Sequence, residues 1–296
     1  MSKAFRGKYL ITRHVEEAAG VFGLRIAAPE IAAAAAPGQF LNIYLPGGDM
    51  LLPRPLSIAD SSGGEVKLLY AVTGKGTNAL ADIGAGELIE IMGPLGTGFF
   101  DYPGSPMEKG VFEKGKEPMS VLMIGGGVGL PPLHFAARRL RETLGGGVRI
   151  EAYLGFRQQP WYIFEVESFC DKTVYAAEAE ALGAFRGNVM EMLEKTYRNG
   201  ETVDLALACG PRPMLAAAAG WCAARRIPLR VSIEERMGCG YGACAGCIVR
   251  TRLLNDENKP QKGPRKPDAE GIIRKKVCAH GPVFWAEEVV WRQGSV

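Results

Sequence analysis

A change in the spacing of apolar residues near residue 119 limits the fold more than any other feature of this 296-residue chain. Before that point, short apolar segments such as 8–15 and 65–72 are separated by Gly, Pro and Asp, a pattern typical of antiparallel barrels or sandwiches. From 120 to about 231, apolar strands alternate with helix-like segments such as 131–144, as in βαβ units with a parallel sheet. We therefore predict a multi-domain protein with an all-β part and an α/β part.

The chain is long enough for two or three domains, because single hydrophobic cores stop growing at roughly 250–300 residues. Residues 1–100 are predicted to form an antiparallel β-barrel or sandwich, 119–230 a parallel α/β domain, and 231–296 a small C-terminal domain with several cysteines. The Gly-, Pro- and charge-rich segment 93–118 is predicted to be a linker or surface loop. The alanine run 32–36, stopped by a Pro-Gly pair, indicates a short helical turn.

The composition excludes several classes of protein. A hydrophobic content of 47% and a net charge of +3 describe an ordinary globular chain, with too little positive charge to indicate nucleic acid or an acidic membrane as partner. No apolar segment approaches the ~20 residues of a membrane helix, and the first ten residues lack the apolar stretch of a secretory signal. We expect a cytoplasmic protein. Thiols stay reduced there, so seven cysteines point to metal or redox chemistry.

Four cysteines have the spacing of a metal site. Cys239-x4-Cys244-x2-Cys247, with the distant Cys278, is the spacing of plant-type [2Fe-2S] sites. Four glycines in the same loop fit a chain that needs unusual φ and ψ angles and brings backbone N–H groups close to sulfur: Gly238, Gly240, Gly242 and Gly246. The alternative is a tetrahedral zinc site, although zinc loops more often carry two C-x2-C pairs.

A glycine-rich turn follows the first strand of the α/β region. Backbone N–H groups and a helix dipole at such a turn favour a phosphate or the pyrophosphate of a dinucleotide. The turn does not complete G-x-G-x-x-G, because Leu130 occupies the third glycine position. A plain strand-to-helix turn, with Pro131 early in the helix, is the alternative.

Two motifs in the N-terminal region are further candidates for phosphate binding. AVTGKGTNAL resembles a P-loop, but Lys75 is followed by Gly76 instead of Ser or Thr, so a Gly-x-Gly-Thr turn ending in Thr77 remains. Its alternative is a plain turn. In the preceding RPLSIAD, the Arg54 guanidinium could pair with a pyrophosphate and the Ser57 hydroxyl could bond a ring nitrogen.

The remaining cysteines lie in apolar segments. Cys209 and Gly210 end a predicted parallel strand, and ligands collect at the carboxyl ends of such strands. A buried thiol is the alternative for Cys209. Cys170 and Cys222 are predicted to be core residues. We find no candidate catalytic triad or carboxylate pair in the sequence.

The order of the motifs resembles one family. RPLSI, GKGT, GPLGTGF, GGGVGLPP, CGPRPM, SIEERMGCGYGACAGC and VCAHGPVF together look like the electron transfer subunits of NAD-linked dihydroorotate dehydrogenase, within the ferredoxin–NADP reductase superfamily. The resemblance spans almost the whole chain. It implies an FAD-binding barrel at 1–100, a nucleotide-binding α/β domain at 119–230 and a [2Fe-2S] domain at 231–296.

The resemblance also implies roles for individual residues. The residues that it assigns to FAD are Arg54, Pro55, Leu56, Ser57, Leu69, Tyr70, Ala71, Gly76 and Thr77. Those that it places around the nicotinamide nucleotide are Gly125, Gly126, Gly127, Gly129, Cys209 and Gly210. The cluster ligands that it implies are Cys239, Cys244, Cys247 and Cys278.

As a function, the resemblance implies electron transfer between NAD(H) and a separate FMN-containing dihydroorotate dehydrogenase subunit, in a hetero-oligomer of pyrimidine biosynthesis. The basic loop between Asn255 and Lys276 would contribute to the partner surface, with a solvated loop as the alternative. The segment 172–189 departs from the family by its alanines and glutamates, which leaves NAD or NADP open. Two other functions remain: a subunit of a ferredoxin:NADP or sulfide oxidoreductase complex, and a non-catalytic assembly subunit that holds zinc.

Overall fold

The computed structural model describes residues 3–47, 50–103, 105–107, 118–197, 202–254, 263–264 and 266–291. The N-terminal strands and helices are β1 (Phe5–Ala18), β2 (Val21–Ala27), α1 (Pro29–Ala34), β3 (Phe40–Tyr44), β4 (Arg54–Ser62), β5 (Glu65–Ala71), α2 (Lys75–Ala81) and β6 (Leu88–Leu95). The six strands close an antiparallel barrel in the order β1-β2-β5-β4-β3-β6. The barrel predicted from the short strands is confirmed.

Alternation along the strands separates the barrel interior from its outer face. In β3, Leu41 and Ile43 point into the barrel core, whereas Phe40 packs outside with residues of the C-terminal region. The alanine run forms the helix α1 only as far as Ala34, because Ala35 is already extended at φ −70° and ψ 137°.

The second region has the predicted alternation of strands and helices. Its elements are β7 (Met119–Gly126), α3 (Leu130–Leu144), β8 (Val148–Phe156), α4 (Ile163–Glu167), β9 (Lys172–Ala177), β10 (Phe185–Arg186), α5 (Val189–Thr196), β11 (Leu205–Cys209), α6 (Arg212–Ala224) and β12 (Leu229–Ser232). All the pairs that these strands form with one another are parallel. Ligands gather at the carboxyl ends of such a sheet.

The C-terminal region consists of β13 (Ile248–Thr251), β14 (Ile273–Lys276), α7 (Val277–His280) and β15 (Val283–Trp285). The strands β13 and β14 form a two-stranded sheet, whereas β15 pairs antiparallel with β12 and extends the parallel sheet. The C-terminal region is thus joined to the α/β region by backbone hydrogen bonds.

The sequence of the C-terminal segment 283–291 has the apolar pattern of a strand, but the strand in the structure is shorter. VFWAEEVVW forms a strand only over Val283–Trp285, and a turn follows. The turn forms because the buried Glu288 carboxylate accepts from the Trp285 N–H at 3.1 Å and from the Lys275 ammonium at 2.5 Å. A buried charge is stable only when it is paired, so this ion pair takes precedence over strand propensity.

Two other predictions concern residues only partly covered by the structure. The predicted linker 93–118 includes 104 and 108–117, which lie outside the described residues, while its first residues complete β6. Residues 255–262 and 265 of the basic loop also lie outside them. Within the part of the chain that the structure describes, no helix has the length and apolar character needed to cross a bilayer.

Candidate functional site

The four predicted cluster cysteines lie together as two pairs of thiols. The backbone N–H groups of Cys239 and Cys244 each donate to the sulfur of the other at 3.4 Å. The sulfurs of Cys247 and Cys278 lie 3.2 Å apart, well beyond the roughly 2.05 Å of a disulfide bond. All four are free thiols, and the short helix α7 carries the distant Cys278 to the loop.

This arrangement fits a two-iron cluster, in which each iron takes two thiolates. Among the described residues, no three His, Cys, Asp or Glu side chains converge on the position of a single ion. A structural zinc site would require four donors around one centre. The donor set and its two pairs fit the iron–sulfur interpretation.

On the exposed side of the site, backbone N–H groups of the loop donate to sulfur. On the other side, the thiols of Cys247 and Cys278 are buried. Burial opposes ionisation of Cys239, but the backbone N–H groups of Cys244 and Tyr241 outweigh it and lower the pKa of the thiol to about 6. For Cys278, burial and the neighbouring Cys247 thiol raise the pKa to about 12. Ligands must be deprotonated, so cluster binding has to displace a proton from Cys278.

Contacts with the barrel hold the cysteine loop in place. The buried Asn42 of β3 donates from Nδ2 to the carbonyl oxygen of Cys239 at 2.9 Å. Gly240 and Gly242 have φ angles of +74° and +96°, a region that favours glycine. A Cβ at Gly240 would lie 2.4 Å from the Asn42 amide, so a glycine is also needed for this close approach.

Two of the predicted FAD motifs, RPLSI and GKGT, meet at the start of α2. The Arg54 side chain crosses Gly76 so closely that a Cβ there would lie 2.3 Å from Nε. This Nε is buried and has no hydrogen-bond partner among the described residues. An unpaired guanidinium N–H beside the first N–H groups of a helix fits a phosphate group. The Thr77 hydroxyl accepts from the backbone N–H groups of Thr73 and Gly74 and so holds the turn itself.

The other residues expected at FAD lie on β4 and β5. Leu56 packs against the barrel core, whereas Pro55 and Ser57 are opposite Asn42 and Phe40 of β3 and share their outward face. Ala71 ends β5 half-buried. Leu69 points towards the α/β region.

Tyr70 points into the barrel, away from Leu69. Its hydroxyl lies 2.8 Å from Nε2 of His14, and its ring stacks on Phe22. Its side chain is therefore not exposed to the crevice between the barrel and the α/β region. Sequence reasoning did not pair His14 with Tyr70, since 56 residues separate them.

The nucleotide motifs also come together. Gly125 and Gly126 end β7, and Gly127–Gly129 form a single turn of 3₁₀ helix that leads into α3. A Cβ at Gly129 would lie 2.2 Å from the carbonyl oxygen of Cys209, and Gly210 lies against Gly126. The two motifs thus meet at the carboxyl ends of neighbouring strands.

The three non-cluster cysteines show no feature of reactive thiols. Cys209 is 1% exposed, and burial raises the pKa of its thiol well above the usual range. The thiols of Cys170 and Cys222 also have raised pKa values, about 12, because of burial. Since the thiolate is the reactive form, we assign these three side chains to packing.

The FAD motifs and the nucleotide motifs adjoin each other. The turn Gly127–Gly129 lies against β5, and Leu69 shares a hydrophobic cluster with Leu130. On α3, Arg138 bonds Asp60 of β4 at 2.7 Å across the boundary between the two regions. Sequence reasoning missed Asn42, Asp60 and Arg138. A buried polar residue within the apolar segment QFLNIYL was the signal available for Asn42.

The chain is similar to known proteins of one family. A family model described as the iron-sulfur cluster binding domain of dihydroorotate dehydrogenase B matches residues 234–260. The electron transfer subunit of dihydroorotate dehydrogenase B (NAD(+)) from Enterococcus faecalis is 34% identical over 257 residues, covering 86% of each chain. The chain belongs to the family of dihydroorotate dehydrogenase B electron transfer subunits. A second member, from Shouchella clausii, is 32% identical and covers 96% of this chain and 98% of its own.

Solved structures share the fold of this chain. A structure described as an NADH-dependent reduced ferredoxin-NADP oxidoreductase has a TM-score of 0.74 at 26% identity, covering 96% of this chain and 90% of that one. The cytochrome b5 reductase domain of Ulva prolifera nitrate reductase has a TM-score of 0.56 at 18% identity, over 71% and 89% of the chains, which shows the fold alone. The resemblance and the fold class predicted from the sequence are confirmed.

Proposed function

We propose that this chain transfers electrons between NAD(H) and the FMN-containing catalytic subunit of a dihydroorotate dehydrogenase, in a cytoplasmic hetero-oligomer of pyrimidine biosynthesis. The observation that carries the proposal is the arrangement of the three candidate sites. The turn Gly127–Gly129 adjoins β5 of the barrel, and the Cys239 loop is bonded to β3 of the same barrel. FAD, when bound, exchanges a hydride with a nicotinamide and single electrons with an iron–sulfur cluster.

The cluster end of the chain provides both ligands and donors to sulfur. Cys239, Cys244, Cys247 and Cys278 are the ligands in this proposal. Backbone N–H groups of the loop reach the sulfurs of the ligands, including the Gly246 N–H at 3.4 Å from the Cys244 sulfur. Such donors stabilise thiolate charge and tune the reduction potential of a cluster.

The residues proposed to contact FAD bind and orient the cofactor and take no part in its chemistry. In this proposal, Arg54 provides a positive charge for the pyrophosphate of FAD, and the backbone of Gly76 and Thr77 provides N–H groups beside it. Pro55, Leu56, Ser57, Leu69, Tyr70 and Ala71 line the cofactor through side chains or backbone, Tyr70 through its backbone. The close packing of Arg54 on Gly76 supports this assignment.

The nucleotide end is formed by two strand ends. Gly125, Gly126, Gly127 and Gly129 offer backbone N–H groups to the nucleotide, with Cys209 and Gly210 beside them. The relatives are named for NAD(+), which supports NAD(H) as the co-substrate. A proton-transfer group is not required of the chain, because hydride chemistry belongs to the cofactors.

A second candidate function keeps the cofactors and changes the partner. The likeness to an NADH-dependent ferredoxin-NADP oxidoreductase at 26% identity favours a subunit of such a complex as the alternative. The decisive experiment is purification from the native host, followed by assay of the complex with dihydroorotate and NAD⁺. Dihydroorotate-dependent NADH formation is expected. A complex that contains no dihydroorotate-oxidising subunit would move the assignment to the second candidate.

Cys244→Ala tests the cluster itself, with Cys222→Ala as the matched control because that buried thiol lies on the helix α6, outside the cysteine loop. We expect Cys244→Ala to lose iron and acid-labile sulfide while it retains FAD and NADH-driven reduction of an artificial acceptor. Iron content by metal analysis and the visible absorption spectrum provide the measurement. Full iron content in Cys244→Ala, or equal loss in Cys222→Ala, would contradict the ligand assignment.

A further inference from the structure

Asn42 is a fully buried polar residue on the outer face of the barrel, at 0% exposure. Its strand neighbours Leu41 and Ile43 point into the barrel core, so alternation turns the Asn42 amide outward, towards the C-terminal region. At this buried strand position an apolar side chain would be more stable than an amide, because burial of a polar group costs free energy unless the group is hydrogen-bonded.

The hydrogen bond that Asn42 makes is to the cluster loop. Nδ2 donates to the Cys239 carbonyl oxygen at 2.9 Å, across 197 residues of sequence. The second atom of the amide, Oδ1, has no partner among the described residues. The loop also approaches the amide closely, since a Cβ at Gly240 would lie 2.4 Å from both Nδ2 and Oδ1. The contact with the loop is therefore the interaction that offsets the burial of this amide.

The backbone of Asn42 belongs to the strand next to the candidate flavin strand. Asn42 is directly opposite Pro55 in the antiparallel pair β3–β4, and opposite Met92 in β3–β6. Directly opposed residues of such a pair have Cβ atoms about 4.5–5.5 Å apart on the same face. Through its backbone, Asn42 thus pairs with the segment of β4 that begins with Arg54. Through its side chain, it contacts Cys239, the first cluster ligand.

We propose that Asn42 is the positioning residue that fixes the Cys239 end of the cluster loop against the flavin strand and thereby sets the rate of electron passage between the two cofactors. This inference rests on the proposed function. The Lys276 ammonium also donates to the Gly242 carbonyl oxygen of the loop. Most of the loop residues from Tyr241 to Gly246 are nevertheless exposed, so Asn42 provides the buried contact at the Cys239 end. Loss of the amide would leave the peptide of Cys239 free to shift, with no change at the nucleotide site.

Asn42→Leu is the test variant, since leucine has a similar size and lacks the donor. Thr251→Val is the matched control: Thr251 is also 0% exposed and donates to a carbonyl oxygen, that of Ile273, but in the sheet β13–β14. The first readout is stopped-flow reduction of the purified protein by NADH, with flavin and cluster followed at separate wavelengths. The second is the electron paramagnetic resonance spectrum of the reduced cluster.

We expect Asn42→Leu to retain FAD, iron and the wild-type rate of flavin reduction. Cluster reduction should slow about tenfold, the scale for residues that support metal ligands, and the resonance spectrum should change. Thr251→Val should match the wild type in all of these. Unchanged cluster reduction and an unchanged spectrum in Asn42→Leu would overturn the proposal, as would an equal slowing of flavin reduction.

Two further experiments distinguish a failure of this proposal from a failure of the proposed function. Asn42→Ser avoids any overpacking, and if both Asn42 variants lose the cluster, the residue serves assembly and the proposed control of rate is wrong. Hydrogen exchange of residues 238–246 in cofactor-free protein should be faster in Asn42→Leu than in Thr251→Val, and equal exchange would also overturn the proposal. Absence of flavin or iron from the wild-type protein would instead contradict the proposed function.

Discussion

At the scale of single residues, Gly129 shows how one missing side chain lets two motifs meet. Its Cα lies so close to the end of β11 that a Cβ would be 2.2 Å from the Cys209 carbonyl oxygen and 2.7 Å from the Gly210 nitrogen. Both atoms belong to the backbone of a buried strand end and have little freedom to move. Packing therefore requires glycine at 129. The backbone conformation does not, because a φ of −80° is open to any residue.

Gly129→Ala should force the turn away from β11. We expect a loss of about 2 kcal/mol in stability, as for overpacking in a core, together with slower flavin reduction by NADH. Gly146→Ala is the control, since no atom lies within 4 Å of the position of its Cβ. It should stay within about 0.5 kcal/mol of the wild type. Urea unfolding and stopped-flow reduction provide the measurement, and equal behaviour of the two variants would contradict the packing argument.

His134 gives the protein a predictable response to acid. The residue is 5% exposed, and burial lowers its pKa to about 4; the Asp60 carboxylate opposes this shift, whereas the charges of Lys67 and Arg138 add to it. The pKa of an unfolded histidine is about 6.5, so the unfolded chain binds the additional proton between these values. Stability should therefore fall as the pH drops below about 6.5, by about 2 kcal/mol at about pH 5.

His134→Asn removes the titrating ring, and its amide can still donate to the carbonyl oxygen of Glu165, which lies 3.1 Å from Nδ1 in the wild type. We expect a flatter dependence of the melting temperature on pH between about 7.5 and 5 than in the wild type. Contributions from carboxylates are common to both proteins and cancel in the difference. Parallel curves would show that His134 does not cause the acid response.

At the scale of elements, one helix and one strand determine how the barrel meets the α/β region. The strand β4 carries Arg54 at its start and Asp60 six residues later, while α3 follows the glycine turn and carries Arg138 in its third turn. Arg138 bonds the Asp60 carboxylate at 2.7 Å and the Ser61 carbonyl at 2.8 Å, and the side chain of Phe135 is buried in the barrel core. The same two elements thus carry both parts of the proposed hydride-transfer site.

Arg138→Met should weaken this joint. A double-mutant cycle with Asp60→Asn is expected to give a coupling free energy of about 1–3 kcal/mol, because both side chains are largely buried. The affinity for NADH should also fall. Arg139→Met is the control, since Arg139 is 47% exposed and pairs within the helix, with Glu142 at 3.8 Å. Additive single and double variants would exclude coupling through the ion pair.

At the scale of the whole molecule, the C-terminal region is held by its hydrophobic core and the cluster loop by few contacts. Phe40 of the barrel, Cys247, Cys278 and Phe284 share one buried cluster with the α/β region. The hydrogen bonds from Thr97 N–H to the Gly281 carbonyl at 2.6 Å and from β12 to β15 add to it. In contrast, the loop 238–246 is mostly exposed or half-buried.

Removal of iron by a chelator under reducing conditions should therefore loosen the molecule only locally. We expect hydrogen exchange to rise across 238–246 and to remain slow in 277–285 and in the barrel, with FAD retained. Mass spectrometry of peptides from the loaded and the iron-free protein provides the comparison. Faster exchange throughout β7–β12 would show that the cluster stabilises the whole fold, contrary to this expectation.

Part of this picture was already determined by the sequence. The barrel strands, the βαβ alternation and the cysteine spacing depend on neighbours within a few residues, because strand alternation, helix periodicity and ligand spacing are local properties. The order of the motifs along the chain then indicated the family. The length expected for the last strand was wrong, since the end of β15 depends on the ion pair between Lys275 and Glu288 rather than on local propensity.

The contacts that turn these motifs into a site were decided by the tertiary structure. Three of these contacts join residues that are 22, 80 and 197 positions apart: Arg54 with Gly76, Gly129 with Cys209, and Asn42 with Cys239. The direction in which Tyr70 points also depends on the barrel, since a register shift of one residue would turn it outward. Strand register and the docking of regions follow from packing across the whole chain, and spacing along the sequence does not specify them.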